Sequence, residues 1–179
     1  MNALSSLRKK IGTRRMAVVS GSLFVCSQVT IYFIIRDLPP EKLLALQTTF
    51  SRETFLSIIG AWKLGGVLPA FKAHFYVDFF HPVWYSVFLA SLMAICLNIN
   101  GIHRKYDILL LIPFAAGFLD LVENTVHVVI LSNIAGATRG KILAGALAAT
   151  AKWLLAGIGI LIVAWLTVQW VFRGRKGAG

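Results

Sequence analysis

The chain has 179 residues, a net charge of +11, 58% hydrophobic residues and 14% charged ones. Soluble domains carry about 45–50% apolar and about 25% charged residues, so lipid is the implied solvent. The length is that of one domain. The basic residues collect at the ends of apolar runs, as in membrane proteins, which argues against a nucleic-acid partner.

Residues 1–15 carry Arg8, Lys9, Lys10, Arg14 and Arg15 and no acid. The apolar run that follows, about 16–35, is longer than a signal-peptide core and meets no small-residue cleavage site. It reads as a retained signal anchor. The start Met-Asn-Ala does not fit N-myristoylation, and no prenylation box closes the chain. Pro39 and Pro40 block continuation of this first span. Segment 37–81 is too long for a plain connector. Glu41–Phe50 suits a short helix, Ser51 can N-cap another through Ile59, and Gly65-Gly66 ends it. His74 and Asp78 fall on a short helix entering the second span, with a break near His81 imposed by Pro82. Further spans are expected at about 82–97, 108–131 and 142–171, since about 20 apolar residues cross a bilayer core. The fourth is over-long and should tilt or project. Cys26 and Cys96 lie one in each of two apolar runs without a C-x-x-C, and read as buried, inert thiols. Trp84, Trp153 and Trp170 fall near span ends, as interfacial aromatics do.

Short-loop charge sets the orientation. Arg104 and Lys105 mark the turn between spans 2 and 3, and Arg173, Arg175 and Lys176 mark the tail. With the basic N-terminus, these place both ends on the cytoplasmic side. The expected fold is an all-α, integral membrane bundle of four transmembrane helices in a single domain, 1–179. The loop 37–81 lies outside as short helices, in a bacterial cytoplasmic (inner) membrane.

Of the seven acids, Asp78, Asp120 and Glu123 lie in or beside apolar spans. Ionisable groups there are costly and mark functional sites by default. Asp120, Glu123, Asn124 and His127 recur at i, i+3, i+4 and i+7, one helical face. His74, Asp78, His81 and Tyr85 would share another stripe if no break intervened. Lys152 shares a face with Gly145, Ala148, Ala149, Ala156 and Gly159, small residues that let helices approach, so it should point inward. In span 1, Gln28 is expected on one face with Gly21 and Tyr32. Counting about 1.5 Å per residue from each cytoplasmic end puts Gln28, Asp120 and Tyr85 at about 20–22 Å. The same count puts Glu123 and Lys152 at about 27–31 Å, and His127 and Asp78 near about 33 Å. All four spans thus place polar groups in the outer half.

Three uses of such a layer compete. It can be a self-satisfied network in which Lys152 neutralises a carboxylate. It can do acid–base chemistry on a membrane-soluble substrate, since burial and neighbours tune carboxylates. It can pass or bind an ion, a proton or a small ligand. A metal is disfavoured, because Glu123 and His127 are i, i+4 where carboxylate-bridged di-metal bundles use Glu-x-x-His. No phosphate-cradling glycine loop occurs. The C-x-x-C of quinone-linked thiol oxidases and the D-G-x-x-A-R of CDP-alcohol phosphotransferases are absent too.

Asp78-Phe-Phe-His-Pro82-Val-Trp-Tyr85 and Pro113-x-x-Ala-Gly117-x-x-Asp120-x-x-Glu123-Asn124 resemble an uncharacterised family of small bacterial four-helix membrane proteins. That group is marked by Asp-x-x-x-Pro-x-x-Tyr and Asp-x-x-Glu-Asn motifs. Phe50-Ser-Arg-Glu53 ahead of Trp62 and a glycine pair looks similar as well. The resemblance covers roughly residues 50–131. It implies a fold and a shared site but no activity, and it does not include His81 or His127.

The expected function is a small membrane-embedded enzyme or binder of a lipid-soluble ligand. Asp120 or Glu123 would serve as acid/base and Lys152 as counter-charge. Asp78, Tyr85, Asn124, His81, His127 and Gln28 would line the ligand site. The alternative is a non-catalytic subunit of a membrane complex or a proton-coupled small transporter. The sequence names no cofactor, sets no oligomeric state and implies no partner beyond the bilayer and such a ligand.

Overall fold

The computed structural model describes residues 3–176, with side chains as far as residue 172. It is all-helical among those residues. The helices are α1 (Ala3–Ile11), α2 (Arg14–Ile35), α3 (Pro40–Thr48), α4 (Arg52–Leu64), α5 (Leu68–Asp78), α6 (His81–Ile99), α7 (Leu111–Ser132) and α8 (Arg139–Lys176). Short 3-10 segments, Arg104–Leu110 and Ile134–Gly136, precede α7 and α8. Four stretches are long and apolar enough to cross a membrane: Arg14–Ile35, His81–Ile99, Arg104–Ser132 and Arg139–Phe172. They contain the four expected spans. At 38 residues, α8 is about 57 Å long, well beyond a core of about 30 Å. Trp153 stands deep within α8 rather than near its end.

The chain forms two compact units. The first comprises Met1–Phe24, Val83–Gly117 and Trp153–Gly179. Its N-terminal basic segment is a helix, α1, where the sequence suggested only a charged leader. The Thr13 hydroxyl caps α2 by accepting from the Met16 N–H at 3.2 Å, satisfying one of its orphan donors. Gly12 makes the corner between α1 and α2 possible. A Cβ there would lie 2.9 Å from Asn98 Nδ2 and 3.1 Å from Ala94 Cβ. Ala90, Met93, Ala94 and Leu97 of α6 pack with Ile11, Leu110 and Leu166 as the apolar core. Asn100 donates to the carbonyls of Cys96 and Leu166, both at 2.9 Å, which ties the end of α6 to α8. The side chains of Arg173, Arg175 and Lys176, used above to orient the tail, lie outside the described residues, as do Met1 and Asn2.

The second unit comprises Val25–Pro82 and Phe118–Lys152. Pro40 opens α3, where its missing N–H costs nothing. Ser51 caps α4 by accepting from the Thr54 N–H. The helix continues beyond Ile59 to Leu64 and stops at the expected Gly65-Gly66 pair. Gly66, at φ 73°, stops it in a Schellman motif, with Val67 N–H bonded to the Trp62 carbonyl and Gly66 N–H to that of Lys63. α4 and α5 meet at 109°. Phe55, Ile59, Trp62 and Phe71 of this pair pack on Ile130 and Ile142. The Arg52 guanidinium donates to the Ala137 carbonyl at 2.7 Å. The short helices are therefore fastened to the end of α7 and the start of α8. Cys26 is exposed on α2, contrary to the expectation of a buried thiol, while Cys96 is buried.

Candidate functional site

The second unit gathers most of the buried ionisable residues. Helix α7 presents Asp120, Glu123, Asn124 and His127 on one face, and all four are buried. That is the outcome of the i, i+3, i+4, i+7 spacing. Lys152 of α8 is buried and ends between two of them. Its Nζ lies 2.7 Å from Asp120 Oδ1 and 2.6 Å from Glu123 Oε2. One lysine thus serves two carboxylates. Gly145, two turns earlier on α8, lies against Val126 and His127, so the small face of α8 does bring it close to α7.

The second Glu123 oxygen, Oε1, stands 3.6 Å from His127 Nδ1. It accepts no hydrogen bond among the described residues, although Glu123 has no solvent-exposed surface. His127 is held between aromatic rings, stacked on Phe55 at 5.9 Å and tilted against Phe75 at 6.4 Å. His127 is thereby positioned from both α4 and α5.

Helix α5 and the start of α6 add a third carboxylate and two more histidines. Asp78 lies at the C-terminal end of α5, its Oδ2 3.7 Å from His74 Nε2. His74 Nδ1 bonds the Phe71 carbonyl, so that contact and the Phe75 ring at 4.1 Å fix its plane. Asn124 donates to the Asp78 main-chain carbonyl at 3.1 Å, joining α7 to the end of α5. The break that Pro82 predicts falls between Asp78 and His81. It turns His81 toward α2, where its Nδ1 lies 2.8 Å from Ser27 Oγ.

Two further candidates are Gln28 and Tyr85. Gln28 is exposed, and so is Tyr32, so the face expected for span 1 is wrong. The buried residues of α2 are Ala17, Ser20, Gly21, Ser27 and Ile31. With half-buried Phe24 they mark a stripe of three- and four-residue steps, 17, 20, 24, 27 and 31, which leaves Gln28 about 100° from Ser27 and brings in Ser27, which the sequence reading passed over. The run of small residues at helical spacing was the available signal. Tyr85 is half-buried and belongs to the first unit.

Among the described residues, no three His, Cys, Asp or Glu side chains are grouped so as to hold a metal ion. What the unit assembles instead is three carboxylates, one lysine and three histidines, with a buried amide. No family model, curated protein or solved structure matches this chain. The meaning of the cluster rests on its geometry.

Proposed function

We propose that this chain is a four-helix membrane bundle of a bacterial cytoplasmic membrane with both termini inside, and that the buried cluster is a proton-exchanging site for a lipid-soluble ligand. Its helices have the lengths and apolar character that such crossings need. The likeness to the small four-helix bacterial proteins rests on Asp78, Pro82 and Tyr85 and on Asp120, Glu123 and Asn124. α3 to α5 would lie on the outer face and cover the cluster.

The observation that carries the reading is the imbalance of charge. Lys152 touches both Asp120 and Glu123, and Asp78 lies beside His74. Three ionised carboxylates and one ammonium would leave two negative charges in a low-dielectric interior. Each uncompensated ion there costs several kcal/mol. The resting cluster therefore holds protons on its carboxyls or imidazoles and can deliver them. Lys152 anchors Asp120 through the 2.7 Å bond and fixes one oxygen of Glu123. The other oxygen, facing His127, is the acid/base. Asp78, Asn124 and His81 orient what binds. This is the equipment of a general acid–base enzyme or of a binder whose ligand exchanges a proton.

The test is infrared spectroscopy of the purified protein at neutral pH. A protonated-carboxyl stretch should be present and should diminish in Glu123→Gln or Asp78→Asn. If no such band exists, the proton-exchange reading is wrong. Mass spectrometry of co-purifying lipid then seeks the ligand. The contacts of Lys152 also favour a second reading, a purely structural network, because both its partners lie within ion-pair distance. Under that reading, replacing Lys152, Asp120 and Glu123 together by apolar or amide residues would leave ligand retention unchanged.

A further inference from the structure

A different part of the molecule carries a further inference, which rests on the proposed membrane crossing but not on the proton-exchange reading of the cluster. The first unit contains a single acid, Asp107, and that acid is buried and consumed internally. Arg8 Nη1 lies 2.7 Å from Asp107 Oδ1 and donates to the Ile102 carbonyl at 3.0 Å, while Nε donates to Asn98 Oδ1 at 2.8 Å. This clasp locks α1 onto the 3-10 segment before α7. It turns Lys9 and Lys10 outward. These two, with Arg14 and Arg15 of α2 and Arg104 and Lys105 of the 3-10 segment, are all exposed. Among the described residues none of the six forms an ion pair.

The position of these cations is as informative as their number. Arg14 and Arg104 begin two of the stretches able to cross a membrane, so the charges stand at headgroup level. Met16, Val18, Ile108 and Leu111, close by in sequence, are exposed and apolar. Tyr106 is exposed beside them, with Lys105 Nζ 5.0 Å from its ring centre, an amphipathic pairing suited to the interface. Arg14 and Arg15 also occupy the first turn of α2, where the helix dipole repels cations and an external anion offsets the repulsion.

We infer that α1, the start of α2 and the segment before α7 form one rigid cationic platform that docks anionic phospholipid. The charges meet the phosphate and the apolar residues beside them meet the acyl chain. A free phosphate would use only half of that surface. The platform differs from a flexible basic tail because Arg8 and Gly12 fix its shape.

The full chain, purified in uncharged detergent, should retain phosphatidylglycerol in preference to phosphatidylcholine by native mass spectrometry, and phosphatidylglycerol should raise its unfolding temperature. A Lys9→Gln, Lys10→Gln, Arg14→Gln, Lys105→Gln variant should lose the preference, at about fivefold per charge removed. It should still unfold at the wild-type temperature in phosphatidylcholine. The double variant Lys9→Gln, Lys10→Gln should lose part of it. A control with Arg36→Gln, Lys63→Gln and Lys72→Gln in the second unit should keep it. Equal retention of both lipids by the wild type would overturn the inference. So would a quadruple variant that still prefers phosphatidylglycerol, a control that loses the preference equally, or inorganic phosphate stabilising as well as the lipid.

Discussion

Replacing Lys152 by methionine is the most direct probe of the cluster. The substitution keeps a long side chain in place and removes only the ammonium. Asp120 Oδ1 and Glu123 Oε2 both contact that ammonium, so they lie within about 5 Å of one another. Without the ammonium the Asp120 charge is stranded, and removing one partner of a buried ion pair costs about 3–5 kcal/mol in general. Any ionisation of Glu123 at that separation would add a repulsion of about 3 kcal/mol at an effective dielectric of about 20. For a chain of this size about 1 kcal/mol moves the unfolding temperature by about 2–4 °C, and Lys152→Met should melt roughly 10 °C early in detergent. Intrinsic tryptophan fluorescence against temperature reads this directly. Adding Asp120→Asn and Glu123→Gln should restore most of the loss, because a neutral set replacing a buried ion pair is often no less stable. A Lys152→Met protein that inserts and melts like the wild type would refute the counter-charge role. Continued destabilisation in the triple variant would show that packing, not charge, sets the cost.

Other parts of the chain give simpler tests. Gly12→Ala would put a methyl 2.6 Å from the Arg8 carbonyl oxygen and 2.9 Å from Asn98 Nδ2; we expect a loss of about 1–3 kcal/mol, seen as an earlier melt. Arg8→Met should cost about 3–5 kcal/mol by stranding Asp107, and pairing it with Asp107→Asn should recover part of that in the same melt. The Glu53 pKa is held below the ordinary carboxylate range by its own backbone N–H and by the Ser51 hydroxyl. A depressed carboxylate stabilises the fold above its unfolded pKa and loses that contribution as pH falls through the folded value. Ser51→Ala should therefore move the Glu53 carboxyl titration, followed by NMR, upward toward the ordinary carboxylate range. An unmoved titration would count against the Ser51 contact.

Much of the architecture was readable because long apolar runs bounded by proline and glycine have few helical outcomes. Span lengths follow from apolar runs, and the stops follow from Pro39, Pro40, Gly65 and Gly66. The α7 face was readable because an i, i+3, i+4, i+7 set inside an apolar helix has one geometric outcome. Lys152 was readable because its neighbours at helical spacing are glycine and alanine. Three features were hidden for physical reasons. Arg8 looks like any member of a basic cluster, and its partner Asp107 is 99 residues away, so nothing local marks the clasp. Gln28 drew attention as the most polar residue in its span, but the buried stripe of α2 follows small side chains and selects Ser27. Glu41–Phe50 and the segment after Ser51 were recognisable as helices. Their packing over the end of α7 depends on long-range contacts, such as Arg52 with the Ala137 carbonyl, that no local pattern specifies.

The chain supplies its own standard for judging the cluster. Arg8 with Asp107 shows how this protein builds a structural ion pair. It uses one cation and one acid, and the guanidinium also donates to the Asn98 amide oxygen and the Ile102 carbonyl. Charge within that pair sums to zero. The set around Lys152 departs from this pattern in each respect. One cation faces two acids, a third acid lies beside a histidine, and two further histidines are buried in the same unit. A network built only for packing gains nothing from surplus carboxylates, since each adds a desolvation cost without a matching partner. A site that takes up and releases protons needs that surplus. The contrast between the two clusters is the physical ground for proposing chemistry at one and fastening at the other.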